Sequence, residues 1–570
     1  MSLPGLELSQ QTIEAQRAPQ QPTQISLTKG SEWRFEVAFG NTTRVKLLAG
    51  TAELFGTELA TSQTYTFSGT KAAIYTWHGC TLEVTAGDSV PIGPVGSAPV
   101  PPGPGNGGCQ VEYTAEETPM AEYANVHFAL EAMRQEATAA GREGPRVLIL
   151  GPENAGKTSL VKILTGYATK VGRQPLVVNL DPSEGMLSVP GALTATAFRS
   201  MIDVEEGWGS SPMSGPSPIP VKLPLVYFYG LPSPLDGEGS YYKAVVSRLA
   251  LAVTGRMAED QDAKEAGVIV DTSGVIGQGK GAAEDIIHHI VTEFSISTIL
   301  VIGSERLYSS MVKNYDNKPV ATSATAAASG EGISVVKLTK SGGCVDRDPI
   351  FMKYVRESQI RSYFFGSSVP STASSALSLS STATGTTIAL SPHTSQVDFD
   401  SLSIYNITTA TEGDEDEYDP SKYALNESFL PGGSHENDTN TAIAGTTALY
   451  PSSSLLPGLG GSDANITSTN LTMRNPSAAT NTSTPFKKLS SPAPLSLENT
   501  LLAITHAAAN ASLEEIRDAS VMGFVYVADV DEKKGVGGKL RVLAPVGGRV
   551  PSRAMVWGRK WPGEVVGLVG

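Results

Sequence analysis

Val147-Leu148-Ile149-Leu150-Gly151-Pro152-Glu153-Asn154-Ala155-Gly156-Lys157-Thr158-Ser159 is the stretch on which the fold turns. Four aliphatic residues in a row, too few for a helix and followed at once by glycine and proline, read as a strand buried on both faces. The next eight residues keep the spacing Gly-x-x-x-x-Gly-Lys-Thr, and a helical stretch follows, over residues 159–167. Strand, glycine loop and helix N-terminus in that order form a phosphate cradle. The glycines let backbone N–H groups converge on an anion, and the helix end adds positive potential. Gly151, Asn154, Ala155, Gly156, Lys157 and Thr158 are therefore the candidate nucleotide-binding residues. Lys157 reaches the β- and γ-phosphates as a point charge, and the Thr158 hydroxyl is placed to ligate Mg²⁺.

Outward from this loop, apolar strands alternate with helical segments between residues 144 and 366, at 147–150, 176–180, 225–229, 268–270, 299–302 and 335–338. Such alternation predicts an α/β domain with a mostly parallel, doubly wound sheet of the P-loop NTPase kind. Open α/β sheets bind ligands beyond the C-terminal ends of their strands. Asp181, which closes the second strand, is thus the candidate Walker-B-like acid, to hold the Mg²⁺ shell or to act as a base. Ahead of this domain, short period-2 strands at 33–37, 43–48, 65–67, 73–77 and 81–84 predict an antiparallel β-sandwich. A Pro- and Gly-rich excursion at 91–108 reads as a surface loop, and a helix over 121–140 leads into the α/β domain. Behind it, strands at 402–407, 523–527 and 540–543 and an apolar helix around 501–509 predict a small α+β or β-rich C-terminal domain. The division is a tail at 1–23, a sandwich at 24–123, the nucleotide domain at 124–366, a low-complexity insert at 367–397 and a C-terminal domain at 398–570, itself interrupted at about 432–490 by Ser/Thr/Asn-rich chain expected to be disordered.

With 42 basic against 57 acidic residues the formal net charge is −15, which excludes a protein that holds nucleic acid by bulk electrostatics. Three unevenly spaced cysteines, Cys80, Cys109 and Cys344, build neither a disulfide framework nor a four-ligand zinc site, so a reducing compartment is expected. Residues 1–24 lack an apolar signal core, and no apolar run approaches membrane-spanning length. Sequons at Asn406, Asn426, Asn437, Asn465, Asn470 and Asn481 lie in Asn/Ser/Thr-rich chain and are discounted as glycosylation sites. The His288-His289 pair, with no metal partner at suitable spacing, reads as structural, and the acidic run 414–417 as a solvated loop. Arg356 and Arg361, five apart and ahead of Tyr363-Phe364-Phe365, are candidate lid arginines able to neutralise charge on a γ-phosphate.

Taken in order with Glu32-Trp33-Arg34-Phe35-Glu36, the run from Gly50 to Leu59, Thr76-Trp77-His78-Gly79-Cys80, Ser188-Val189-Pro190-Gly191, the run 203–207, Glu305-Arg306-Leu307-Tyr308, Lys340-Ser341-Gly342-Gly343 and the run 360–366, these motifs resemble the RNA 5′-hydroxyl polynucleotide kinase family. The likeness is strongest to its branch of mRNA cleavage and polyadenylation factor subunits. The resemblance implies an N-terminal sandwich closing over adenine, with Glu32 and Lys71 at nucleotide-contact positions. It further implies ATP and Mg²⁺ as cofactors, Asn154 to Ser159 on phosphate, and Arg356 and Arg361 in a lid. A nuclear cleavage-factor complex is implied as the setting, with its RNA polymerase II CTD-binding subunit as direct partner and RNA contacted weakly or through partners.

Active kinases of the family read Asp-x-Asp-x-Gly-Gln at the second strand, where this chain has Asn179-Leu180-Asp181-Pro182-Ser183-Glu184. Their Thr-x-Gly-Trp clasp is here Thr272-Ser273-Gly274-Val275, which offers no ring to stack on an RNA end. The expectation is an ATP-binding subunit of the pre-mRNA cleavage complex in which the nucleotide is a structural clamp. The alternative is an active 5′-hydroxyl kinase with Asp181 as base and both arginines on the phosphate. A signalling GTPase is disfavoured because Gly303-Ser304-Glu305-Arg306 follows the strand 299–302, where a guanine-reading Asn-Lys-x-Asp would stand.

Overall fold

Successive side chains of a strand point to opposite faces, and in Arg146–Leu150 that rule sends Leu148 and Leu150 into one hydrophobic core and Val147 and Ile149 into another. The computed structural model describes residues 22–87, 103–205, 207–208, 224–278, 281–320, 332–366, 390–408, 485–531, 538–559, 561–565 and 568. Neighbouring strands repeat the division: Ile269 and Leu300 face with Val147, whereas Val268, Val270, Ile299 and Val301 face with Leu148. A sheet buried on both sides in this way needs helices on both. Met120–Ala139 and Lys157–Lys170 contribute to one core, and Ser240–Glu259 and Ala282–Glu293 to the other.

The sheet has seven strands in the order Leu225–Phe228, Ala192–Ala197, Leu176–Leu180, Val268–Thr272, Arg146–Leu150, Thr298–Ile302 and Ser334–Leu338. The last five pair in parallel; at the edge Ala192–Ala197 runs against them, and Leu225–Phe228, antiparallel to it, runs in their direction again. The doubly wound α/β class expected from the sequence is the one found. Ala192–Ala197 was not anticipated, because alternating alanine and threonine is a weak strand signal. Its six residues are held by ladders on both sides.

Ahead of this sheet, Thr23–Leu27, Cys80–Ala86, Thr43–Gly50 and Thr64–Phe67 form one antiparallel sheet. Thr57–Glu58, Glu53–Leu54, Thr70–Tyr75, Glu32–Val37 and Val111–Ala115 form the second. The two enclose a core of Trp33, Phe35, Leu47, Ile74 and Leu82, the expected β-sandwich. The stretch 76–79 is a turn, with the Thr76 hydroxyl accepting from Gly79 N at 2.9 Å.

The hairpin 53–58 lies directly on the helix Lys157–Lys170. A Cβ on Gly56, whose φ is +83°, would stand 2.8 Å from the Ile163 carbonyl oxygen, and one on Gly166 would stand 3.0 Å from the Gly56 backbone. Beside this backbone contact Tyr167 donates its hydroxyl to Glu53 Oε1 at 2.5 Å, and Trp77 Nε1 donates to Glu53 Oε2 at 3.3 Å.

The C-terminal sheet also has seven strands: His393–Asp398, Lys539–Ala544, Val521–Asp531, Thr500–Ala508, Arg553–Trp557, Ser403–Ile407 and Phe486–Lys488. One expectation is corrected here: 501–509 is not a helix but most of the strand Thr500–Ala508. Leu501 and Ala503 pack toward the central sheet and Leu502 and Ile504 into a separate core on the far side. A strand buried on both faces shows an unbroken apolar run, which periodicity alone does not separate from a helix. Asn406 sits in the strand Ser403–Ile407 and is 8% exposed, so that sequon is closed to a glycan. The tail 1–23, the insert 367–397, the tract 432–490, the excursion 91–108, the acidic run 414–417 and the other five sequons lie wholly or largely outside the described residues.

Gly56→Ala forces a Cβ against the helix backbone at a left-handed position. It is expected to cost about 1–3 kcal/mol. Thermal unfolding of the full chain should show a melting temperature lowered by several degrees, and an unchanged one would mean that the hairpin and helix separate readily.

Candidate nucleotide-binding site

The loop 151–156 turns inward through two left-handed residues, Asn154 at φ 53° and Gly156 at φ 88°. Gly156 caps the helix Lys157–Lys170 with no side chain bonded to its first turn, so that helix end is left for an outside acceptor. Close packing fixes the loop from below. A Cβ on Gly274 would stand 2.6 Å from Glu153 Cα, and one on Gly277 would stand 2.4 Å from the Gly151 carbonyl oxygen. The clasp-like stretch thus serves as a floor for the phosphate loop. Ala155 is fully buried, and Ser159 is partly buried in the first turn of the helix.

Lys157 is 7% exposed, and its ammonium donates to the Pro152 carbonyl at 2.8 Å across the mouth of the loop. Burial draws its pKa below the usual lysine value, while Asp271 and Asp181 pull it back up. Thr158 Oγ1 donates to Asp271 Oδ2 at 2.6 Å. Asp271 is the last residue but one of the strand Val268–Thr272, beside the loop strand, and is 1% exposed. Burial pushes its carboxyl up to about 7 against the opposing effects of the Thr158 bond and Lys157. This carboxylate was missed in the sequence because the strand was read as ending at Val270. The signal was an acid at the C-terminal end of an apolar run.

Asp181 lies farther along the same edge. Its Oδ1 accepts from Ser183 N at 2.9 Å and Ser183 Oγ at 2.6 Å, and desolvation holds its carboxyl above the ordinary range. Asn179 brackets Asp181, accepting from its N–H at 2.9 Å and donating to its carbonyl at 3.1 Å. In the sheet register Asn179 stands opposite Asp271, so an aspartate there would meet a like charge. Glu184 pairs with Arg347 at 2.5 Å, and Arg347 Nε donates to Asn154 Oδ1 at 3.2 Å. Arg347, a second residue not singled out from the sequence, is therefore the arginine that reaches the phosphate loop. Arg356 lies over the indole of Trp561, 4.6 Å from the ring centroid, and Arg361 over Phe365 at 6.0 Å.

On the other side, the Lys340-Ser341-Gly342-Gly343 turn lies between sandwich and loop. A Cβ on Gly343 would stand 2.9 Å from Arg34 Nε, and one on Gly156 would stand 2.7 Å from Cys344 Sγ. Glu32 is buried and paired with Arg34 at 2.5 Å; burial pushes its pKa up and Arg34 pulls it down. Lys71 pairs with Glu36 at 2.8 Å and stands 5.0 Å from the Phe351 ring centroid, on the helix Pro349–Phe365. His289 Nε2 lies 2.9 Å from both Ser247 Oγ and the Lys243 carbonyl, inside the helical layer.

Three family models cover almost the whole of the described chain. The N-terminal beta-sandwich domain of polyadenylation factor matches residues 26–137, the P-loop of mRNA cleavage and polyadenylation factor CLP1 matches 151–366, and the pre-mRNA cleavage complex II protein Clp1 matches 390–563. The chain belongs to the CLP1 family. The mRNA cleavage and polyadenylation factor CLP1 of Coccidioides immitis is 84% identical over the full length of both chains. Its counterpart from Neosartorya fischeri is 67% identical, again over the full length of both. A solved structure of the Clp1p–Pcf11p complex superposes with a TM-score of 0.66 at 25% identity, covering 94% of this chain and 97% of that one. A second, concerned with the Pcf11p–Clp1p interface and ATP loss in a point mutant, has the same fold at a TM-score of 0.67 and 24% identity, over 94% and 98% of the two chains. As a CLP1 family member the protein is a cleavage and polyadenylation factor of mRNA 3′ ends, carrying a P-loop nucleotide site.

Arg34→Ala strands Glu32 as a buried carboxyl without its partner, at a cost of about 3 kcal/mol to the nucleotide-free protein. Glu32 already has a raised folded-state pKa, and the loss of Arg34 raises it further. Its neutral form is then favoured in the fold, so the deficit is smallest at low pH and grows as pH rises through that pKa. Thermal melts at pH 5 and pH 8 should show the larger loss at pH 8; equal losses would refute the account.

Proposed function

We propose that the protein is the ATP-binding subunit of the nuclear pre-mRNA cleavage complex, and that Mg·ATP acts there as a structural clamp. The observation that carries this reading is the placement of the 339–344 turn, with Arg34 of the sandwich against its glycines and Cys344 against Gly156 of the phosphate loop. Tyr123 ties the same turn down by donating its hydroxyl to the Thr339 carbonyl at 2.7 Å. A nucleotide seated here touches elements on both sides and stabilises only their closed arrangement, by about 4 kcal/mol at a thousandfold excess over Kd.

The donor set fits Mg·ATP. The Thr158 hydroxyl and the Asp271 carboxylate form an oxygen pair suited to Mg²⁺, and Lys157, Arg347 and the open helix end supply positive potential. When bound, Mg²⁺ would neutralise phosphate charge beside Thr158 and Asp271. Asp181, held by Ser183, remains the candidate base of the alternative kinase reading, but Val275 offers nothing to stack a terminal base. Clp1p forms a complex with Pcf11p, and by family membership the partners proposed here are cleavage-complex subunits, with a subunit of that kind contacting the chain directly.

The purified protein is expected to contain ATP, identified by chromatography after denaturation, and Lys157→Ala is expected to lose both the nucleotide and assembly with cleavage-factor subunits. Recovery of ADP or GDP, or full assembly of a nucleotide-free variant, would contradict the clamp. With radiolabelled ATP and a 5′-hydroxyl oligoribonucleotide, no label transfer is expected. Transfer at ~1–100 per second would replace the clamp by a kinase.

A further inference from the structure

We propose that Trp561 is a positioning residue that keeps the far side of the nucleotide site shut and so sets how long a bound nucleotide is retained; this rests on the reading of ATP as a lasting ligand. The indole N–H donates to the Pro182 carbonyl at 2.9 Å, on the loop that carries Asp181 and Glu184. On its other side the ring meets the helix Pro349–Phe365, whose Arg356 guanidinium lies 4.6 Å from the centroid of the same indole. One side chain therefore touches both walls of the gap.

Those walls lead straight to the phosphate loop. Three residues along the helix, Gln359 brackets Gly185, accepting from its N–H at 3.0 Å and donating to its carbonyl at 2.9 Å. Glu184, between Pro182 and Gly185, pairs with Arg347, which in turn bonds Asn154. Anything leaving or entering past residues 181–185 has to part this loop from the helix, and parting them breaks the indole bond, the charge–aromatic contact or both.

The segment that presents Trp561 is itself anchored at both ends. A Cβ on Gly558 would stand 2.7 Å from the Gly230 carbonyl oxygen, so backbone rests on backbone there. Beyond the tryptophan, Val565 N donates to the Asn499 carbonyl at 2.8 Å, and its carbonyl accepts from the Tyr526 hydroxyl at 2.8 Å. Gly191, at φ 88°, makes room for the ring, because a Cβ there would stand 3.3 Å from Trp561 Cδ1. Trp561 is thus a fixed strut carried in from the C-terminal sheet, far in sequence from the loop it braces.

The test uses the full chain loaded with radiolabelled ATP and chased with unlabelled ATP. Trp561→Ala is expected to release label about ten- to a hundredfold faster, the joint effect of one hydrogen bond and one charge–aromatic contact. Trp561→Phe, which keeps a ring under Arg356 but donates nothing, should fall between it and the unaltered protein. Should Trp561→Ala not fold, Arg356→Gln removes the contact from the helix side and should also hasten release. Unaltered release rates in Trp561→Ala, or in Arg356→Gln where only that variant folds, would overturn the proposal. A protein that purifies without ATP would instead refute the clamp reading, and release of added ATP would still decide the role of Trp561.

Discussion

The helix Pro349–Phe365 is held at three points along its length, and the closure of the nucleotide site depends on how firmly each holds. Its C-terminal turns are core: Ile360, Tyr363 and Phe364 are buried, and the Tyr363 hydroxyl accepts from Phe524 N at 3.0 Å while the two rings meet edge to face at 5.6 Å. Burial of side chains of this size is worth roughly 1.5–3 kcal/mol each. Its middle is tied by Gln359 and Arg356 to Gly185 and Trp561. Its first turns meet the sandwich through Phe351 and Tyr354, whose ring centroids lie 5.3 and 5.7 Å from that of Phe39, and through Lys71. Ile350 there is 64% exposed. The helix is therefore anchored through buried side chains in the C-terminal sheet, and its first turns meet the sandwich through ring and charge–aromatic contacts.

Among the described residues around the loop, the buried charged groups stand in opposed, bonded pairs. Two carboxylates, Asp271 and Asp181, face Lys157 and Arg347, and each acid is further bonded by a hydroxyl, from Thr158 and Ser183. The family departures make sense in this setting. Asn179 avoids a third buried carboxylate opposite Asp271, and Glu184 supplies the counter-charge that orients Arg347 onto Asn154. Asn179 and Glu184 thus both take part in the bonds around the phosphate loop. A protein with a formal net charge of −15 still gathers Lys157 and Arg347 at its phosphate loop.

Much of this was legible in the chain itself. The phosphate loop, its strand and its helix were readable because contiguous residues at fixed spacing dictate a local geometry. The doubly wound sheet and the sandwich followed from hydrophobic periods that neighbouring residues carry. Tertiary structure alone decided the rest. Asp271 became the partner of Thr158, 113 positions away in sequence, because the strand Val268–Thr272 lies beside Arg146–Leu150, the strand that leads into the phosphate loop. Thr500–Ala508 became a strand because layers on both its faces bury it, which no period within nine residues reveals. Trp561 reached Pro182 across 379 residues, held there by the Gly558–Gly230 backbone contact, by the Asn499 carbonyl and by the Tyr526 hydroxyl. Local propensity and spacing specify elements; which side chains meet at a site depends on packing between elements, and that is settled only when the sheets come together.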